Sequence, residues 1–327
     1  MDELENYDIS KVELDEEVRI VFMGTPDFAV PILESLIKEY NVRGVVTQPD
    51  KLVGRKQILT ESPVKKKAKE NTILVLQPKS IKEEWNEIIS LHPNLIITCA
   101  YGQIIPRELL VYPKYGCINV HASLLPKLRG GAPIHHAIMD GYKKTGVTIM
   151  YMNPYMDEGD IISQKEIDIL DTDTTETLWD KLSLMGRDLL METLPSIIDG
   201  TANRIKQDNT QATYGKNITK EEEKIDFSKT TRQIFNQIRG LNSWPGAYCL
   251  FEGKRLKIWS SRESSYADPF KIDGQIINIY EDGLGVKTSN GEIIVTEIQF
   301  EGKNKISVKD YLNGIQDKNS LIGKVFE

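Results

Sequence analysis

The residues best suited to chemistry are an asparagine, a histidine and an aspartate, each placed where an apolar run ends. Asn119 and His121 are two residues apart, so in a strand both side chains point to one face. Asp157 follows a second apolar run. An amide and an imidazole N–H can stabilise a developing oxyanion, and a His–Asp pair can move a proton near neutral pH. We also expect Asp157 to set the tautomer and orientation of His121.

Two further stretches have the composition of binding segments. Ser123-Leu124-Leu125-Pro126 follows His121 closely and leads into a stretch rich in Gly and Pro, where the backbone can approach a ligand. Thr47-Gln48-Pro49-Asp50 opens a long loop, and residues 51–69 carry seven bases against one acid. Because residues 18–327 are neutral as a whole, this locally basic stretch is the part expected to face phosphate.

The elements that position these residues follow from the spacing of apolar runs. Short apolar runs alternate with helical stretches in the first half, which predicts an open α/β domain of Rossmann type with a parallel sheet covered on both faces. The predicted strands are 18–23, 42–47, 95–99, 117–120 and 147–152. Ligand sites in such sheets lie beyond the carboxyl ends of the strands, where the three residues named above fall.

The second half has a different pattern. Residues 174–199 predict a long helix that ends at Gly200, and a polar stretch follows. One helix and five short alternating runs, separated by turn residues, then predict a small antiparallel β-barrel of the oligonucleotide-binding type. We therefore expect four parts, which are an acidic flexible leader (1–17), an α/β domain (18–200), a linker (201–219) and a barrel (220–327).

Composition limits the class of protein. The chain has 327 residues, of which 40% are hydrophobic and 27% charged, and no apolar run is long enough to cross a bilayer. The whole formal charge of -7 lies in residues 1–17, which resemble neither a signal nor a transit peptide, so we expect a cytoplasmic protein. The cysteines and histidines lack zinc spacing, and the turn after the first strand has one glycine, so we expect no metal and no NAD.

The chain resembles the folate-dependent formyltransferase family from residue 18 to residue 327. The resemblance rests on eight strings: F-M-G-T-P-D-F, T-Q-P-D, A-Y-G-Q-I-I-P, N-V-H-A-S-L-L-P, G-V-T-I-M, D-E-G-D, T-Y-G-K-N-I-T-K-E-E and N-S-W-P-G. It implies that Asn119, His121 and Asp157 are catalytic. It further implies a formylfolate-binding segment (Ser123, Leu124, Leu125, Pro126) and a tRNA-contacting loop (Arg55, Lys56).

The resemblance also implies a reaction and partners. The formyl group of 10-formyltetrahydrofolate, a substrate, would pass to the α-amine of methionine on initiator tRNA, for translation initiation. The α/β domain would hold the folate and perform the chemistry, and the barrel would contact the tRNA backbone. The reaction needs no covalent enzyme intermediate, and we expect a monomer without a membrane partner.

Alternative functions stay open at this stage. A formyltransferase acting on a nucleotide-linked amino sugar or on glycinamide ribonucleotide would use the same side chains, although the barrel counts against the glycinamide enzymes. A formyltetrahydrofolate hydrolase shares the Asn, His and Asp but carries an N-terminal regulatory domain, which 17 residues could not supply. A non-catalytic RNA-binding protein on the same scaffold would have no need of the three residues.

Overall fold

A computed structural model of the chain describes residues 17–54, 56–266, 268 and 270–327. Residues 1–16 of the acidic leader and Arg55, both singled out from the sequence, lie outside the described residues. The chain divides into two compact units, which are residues up to Ile118 with Leu194–Ala202, and Asn119–Thr193 with Asn203–Glu327. The division into domains at residues 200 and 219 stays a prediction.

The first unit is built on parallel strands. Its strands are β1 (Arg19–Gly24), β2 (Asn41–Val46), β3 (Lys51–Val53), β4 (Ile58–Thr60), β5 (Val75–Leu76), β6 (Leu95–Cys99) and the start of β7 (Cys117–His121). Its helices are α1 (Val30–Glu39), α2 (Pro63–Glu70), α3 (Ile81–Ile89) and α4 (Arg107–Val111). Four strands lie side by side in the order β5-β2-β1-β6, and each neighbouring pair is parallel.

Burial explains why these strands are central. All five residues of β6 and the last five of β1 are buried, as is typical of strands covered on both faces. Residues that follow the carboxyl ends of β1, β2 and β6 are hydrogen-bonded to one another. Thr25 Oγ1 donates to the carbonyl oxygen of Tyr101 (3.0 Å), and Gln48 Nε2 donates to the same oxygen (3.2 Å).

The second unit begins within β7 and includes a strand pair that is not parallel. Its next elements are α5 (Pro133–Met139), β8 (Lys144–Tyr151), β9 (Ile161–Asp168) and α6 (Thr175–Ile198), whose last residues belong to the first unit. Strands β8 and β9 are antiparallel, so the predicted parallel pairing holds for β5, β2, β1 and β6 of the first unit but not for this pair. Sequence reasoning missed β9 because its middle residues, Gln164 to Glu166, are polar and exposed.

An antiparallel sheet forms the C-terminal part of the second unit. The elements are α7 (Lys220–Glu223), α8 (Thr231–Gly240), β10 (Ala247–Phe251), β11 (Lys254–Ser264), β12 (Ile276–Ile279), β13 (Leu284–Thr288), β14 (Gly291–Phe300), β15 (Ile306–Ser307) and α9 (Val308–Asn313). The strand order is β10-β11-β14-β13-β12, with β15 on β14. Phe326 bridges to Phe251 in β10, and Val325 bridges to Gln275 beside β12, so the C-terminal residues join both edges. The predicted antiparallel domain is confirmed.

Helix α5 carries a histidine among carboxylates. His136 Nε2 lies 3.0 Å from the carbonyl oxygen of Lys216 and donates to it, and Nδ1 lies 3.5 Å from Asp140 Oδ2. Glu222 Oε1 is 4.0 Å from Nε2. Asp140 is the main cause that raises the pKa of His136 above its ordinary value, with Lys216 and Glu222 adding to it while burial opposes it.

Removal of the Asp140 charge should therefore weaken the fold in a pH-dependent way. A folded pKa above the unfolded value means that the stabilisation is present at low pH and is lost as pH rises through the folded pKa. We expect Asp140→Asn to lower the free energy of unfolding by about 0.5 kcal/mol at pH 6.0 and by much less at pH 8.5. Denaturant titrations measure this, with Asp180→Asn, an exposed helical aspartate, as control. An equal loss at both pH values would contradict the assignment.

Candidate active site

Strand β7 brings two of the predicted catalytic residues to one face. Asn119 and His121 alternate with Val120 on this strand, as the sequence spacing predicts. His121 is buried and Asn119 is half-buried. The strand ends at His121, and a loop of residues 122–132 leads to α5.

The main-chain loop after β7 determines the tautomer of His121. Its Nε2 lies 3.0 Å from the carbonyl oxygen of Leu128. A carbonyl oxygen only accepts hydrogen bonds, so Nε2 carries the hydrogen and the neutral ring has its lone pair on Nδ1. This Nδ1 is 3.8 Å from Asp157 Oδ1, too long for a hydrogen bond but close enough for a carboxylate to stabilise a proton on the ring. Leu128, and not Asp157 as expected, thus selects the tautomer.

Asp157 lies in a tight turn after β8. Its φ of 53° is in the left-handed region, which aspartate tolerates better than most residues. Its Oδ2 accepts a hydrogen bond from the backbone N–H of Gly130 (2.8 Å). The same turn requires a glycine at position 159, where a Cβ would lie 1.7 Å from the carbonyl oxygen of Tyr151. The structure therefore brings His121 and Asp157 together through a constrained backbone.

Sequence reasoning missed two residues that contact this turn, Arg129 and Gln207. The Arg129 side chain is only 1% exposed, and its guanidinium lies 3.1 Å from Glu158 Oε1. Gln207 Nε2 donates to the carbonyl oxygens of Asp157 (2.7 Å) and Gly159 (2.8 Å). For Arg129 there was a local signal, because it is an arginine next to a stretch of Gly, Ala and Pro. No local signal marked Gln207, because its segment had the composition of a linker.

The predicted formylfolate segment, Ser123–Pro126, is held by side chains of β8 and β9. Thr148 Oγ1 donates to the carbonyl oxygen of the first residue (2.7 Å) and accepts from the N–H of Leu125 (3.2 Å). Gln164 Nε2 donates to the carbonyl oxygen of Leu125 (2.9 Å). The first and third residues are buried, and the second and fourth are half-buried. Leu124 and Pro126 are thus the members of the segment with side-chain surface to offer a ligand.

The predicted tRNA-contacting loop is a β-hairpin in the first unit. Strands β3 and β4 pair from Lys51 with Thr60 to Val53 with Ile58, and Lys56 is exposed between them. Three lysines of the adjoining helix α2 are in ion pairs, so part of the basic charge of this stretch is neutralised: Lys65 with Asp50, Lys67 with Glu34 and Glu70, and Lys69 with Glu61.

The cysteines are buried, which disfavours the reactive thiolate form. Cys99, Cys117 and Cys249 are free and buried. Burial raises the pKa of all three thiols, that of Cys117 to about 12. Among the described residues, no cluster of three or more His, Cys, Asp or Glu side chains could hold a metal ion, and no described helix is long and apolar enough to cross a membrane.

Family models identify the class of protein to which this fold and site belong. Residues 18–194 match the model described as formyl transferase, and residues 217–316 match the formyl transferase C-terminal domain. The chain belongs to the formyl transferase family, and the resemblance inferred from the sequence motifs is confirmed. This family uses 10-formyltetrahydrofolate as its formyl donor.

Individual relatives make the comparison more specific. A protein of Bacillus licheniformis named methionyl-tRNA formyltransferase is 51% identical over 303 residues, which cover 90% of this chain and 95% of the relative. The protein of the same name from Bacillus subtilis is 51% identical over 300 residues, 90% of this chain and 94% of the relative. An N-formyltransferase from Helicobacter canadensis, solved with folinic acid and dTDP-3-aminofucose, shares the fold with a TM-score of 0.64 and 24% identity, over 85% of this chain and 98% of that chain.

Proposed function

We propose that this protein transfers the formyl group of 10-formyltetrahydrofolate to the α-amine of methionine esterified to initiator tRNA, for translation initiation. The observation that carries the proposal is 51% identity, over nine-tenths of the chain, to proteins named methionyl-tRNA formyltransferase. A match of that length extends into both matched family regions, so the similarity is not limited to the N-terminal formyl transferase region.

The proposed mechanism uses the three residues near the end of β7 and in the turn after β8. The amine attacks the formyl carbon, the new C–N bond forms, and the bond from that carbon to N10 of the folate then breaks. The Asn119 amide donates to the oxyanion that develops on the formyl oxygen, an interaction worth a few kcal/mol in comparable sites. His121 Nδ1 takes the proton from the amine and returns it to the leaving N10, while the Asp157 carboxylate, 3.8 Å away, stabilises the charged ring.

Binding of the formyl donor is assigned to the segment Ser123–Pro126. Its backbone is held in place by Thr148 and Gln164, which makes it a rigid support for a flat ring system. Its two half-buried members, Leu124 and Pro126, would supply the apolar contact. A monomeric state and a cytoplasmic location, where charged tRNA is available, remain predictions.

Amino-sugar formyltransferases are the nearest alternative, and they are not favoured. The Helicobacter canadensis enzyme shares 24% identity, a level that shows the fold alone. The relatives that are half-identical to this chain carry a name that specifies tRNA as acceptor.

A direct assay tests the proposal. The full chain is incubated with 10-formyltetrahydrofolate and methionyl initiator tRNA, and formyl-methionine is sought after hydrolysis of the ester. A nucleotide-linked amino sugar and glycinamide ribonucleotide replace the tRNA as acceptors in two parallel reactions. Formylation of either small acceptor, with none of the tRNA, would overturn the proposed function.

Arg55, which lies outside the described residues, gives a prediction specific to the tRNA. We expect Arg55→Ala to lower kcat/KM for methionyl-tRNA about tenfold, because an arginine can bind phosphate or a guanine edge bidentately. Binding of formylfolate should be unchanged. If Arg55 contacts only phosphate, the loss should be uniform across acceptor-stem sequences, with a shallower salt dependence. Arg43→Ala, an exposed arginine of β2, is the control. Full formylation efficiency at physiological salt would exclude Arg55 as a tRNA contact.

A further inference from the structure

The buried Arg129 guanidinium is held by three side chains. Nε and one terminal nitrogen donate to Gln207 Oε1 at 3.1 and 2.8 Å, and the same terminal nitrogen donates to Asn209 Oδ1 at 2.7 Å. The other terminal nitrogen lies 3.1 Å from Glu158 Oε1. A buried charge is tolerated only when it is paired and hydrogen-bonded, so this arrangement defines the positions of all four side chains.

The arginine also determines how the Gln207 amide is oriented. Arginine is only a donor, so the atom of Gln207 that faces it must be the oxygen. The amide nitrogen consequently faces the opposite way, where it donates to the carbonyl oxygens of Asp157 (2.7 Å) and Gly159 (2.8 Å). One amide therefore links the guanidinium to the backbone on both sides of Glu158.

The neighbouring backbone holds the Asp157 side chain. Gly130, the residue after Arg129, donates its N–H to Asp157 Oδ2 at 2.8 Å. Arg129 itself donates its backbone N–H to Thr213 and accepts from the N–H of Gly215, each at 2.8 Å. The Asp157 carboxylate and carbonyl are thus both bound by groups whose own positions depend on Arg129.

We propose that Arg129 and Gln207 are positioning residues, which hold the left-handed Asp157 turn so that its carboxylate faces His121 Nδ1. The inference rests on the proposed function, in which that carboxylate stabilises the charged ring. It assigns a positioning role to Gln207, which lies in the segment 201–219 that the sequence predicts to be a linker. Small displacements of a reacting group cost large factors in rate, about 100-fold for 1 Å, so such support is expected to act mainly on kcat.

The variant Gln207→Glu tests the N–H group of this amide separately from its oxygen. The substituted side chain keeps an oxygen for Arg129 but sets a second oxygen, in place of the N–H donor, against the carbonyls of Asp157 and Gly159. We expect kcat for methionyl-tRNA to fall about 30-fold, with KM for both substrates within twofold of wild type. Gln207→Met, which removes the same N–H donor without adding a charge, should lower kcat at least tenfold. Asn209→Asp makes the same amide-to-acid change in another side chain that accepts from Arg129, and an acid oxygen can still accept that bond. Its kcat should stay within twofold of wild type.

The decisive measurement is a double-mutant cycle with Asp157→Asn. If Gln207 acts through the Asp157 carboxylate, Gln207→Glu should cost less than twofold once that carboxylate is gone. The inference would be overturned if Gln207→Glu lowered kcat by the same factor in the wild-type and Asp157→Asn backgrounds. It would also be overturned if Asn209→Asp lowered kcat as much as Gln207→Glu, or if Gln207→Glu and Gln207→Met both kept the kcat of wild type. Thermal unfolding of every variant distinguishes a loss of folded protein from a loss of kcat. Failure of the proposed function is separately visible, because the wild-type chain would then not formylate the tRNA.

Discussion

Replacing Asp157 by asparagine is expected to lower kcat for formyl transfer by about 10²- to 10³-fold. Asparagine has the same shape, and its Oδ1 can still accept the hydrogen bond that Gly130 donates to the carboxylate. The variant therefore keeps the turn and removes the negative charge that lies 3.8 Å from His121 Nδ1. Without that charge the ring is a weaker proton acceptor in the transition state, so the loss should fall on kcat and leave KM nearly unchanged.

Steady-state kinetics with methionyl-tRNA and 10-formyltetrahydrofolate measure this effect. Asp168→Asn makes the same substitution at an exposed position of β9 and should retain wild-type turnover. Asn119→Ala and His121→Ala should each fold and lose most of kcat, because both remove interactions made chiefly in the transition state. Near wild-type turnover in any of the three site variants would show that the role proposed for that residue is wrong.

The second large effect is expected from Gly159→Ala, which should destabilise the fold by more than about 3 kcal/mol and abolish formyl transfer. The added Cβ would lie 1.7 Å from the carbonyl oxygen of Tyr151 and 2.8 Å from its carbon, both backbone atoms. Backbone atoms cannot move away by a change of rotamer as a side chain can. The Tyr151 backbone is also held by the hydrogen bond that its N–H donates to the carbonyl oxygen of Asp160 (2.9 Å). Relief of the clash must open the turn that carries Asp157.

Gly314→Ala is the matched control for this prediction. Gly314 has a φ of -84°, which any residue adopts, and an added Cβ would meet its nearest neighbour, the Tyr311 carbonyl oxygen, at 3.5 Å. Thermal unfolding and kcat should both be close to wild type for this variant. If the two alanine variants unfold at the same temperature, the contact at Gly159 is not a constraint on the turn.

The sequence by itself predicted the buried strands, the shared face of Asn119 and His121, and the family. Buried strands such as β6 are runs of apolar residues bounded by polar ones, so local composition was enough to predict them. Two-residue spacing was likewise enough to put Asn119 and His121 on one face of β7, since alternation is a local property of strands. Ordered motifs in both halves of the chain predicted the family, which the family models confirm.

Only the tertiary structure decided how the site residues are held, because those contacts join parts of the chain that are distant in sequence. The tautomer of His121 depends on the Leu128 carbonyl, a backbone group that no residue type reveals. Gln207 binds the turn of Asp157 from 50 residues away, and polar composition alone cannot distinguish such a residue from linker. Strand β9 forms beside β8 although its exposed side chains break the apolar pattern, because backbone pairing requires no apolar side chain.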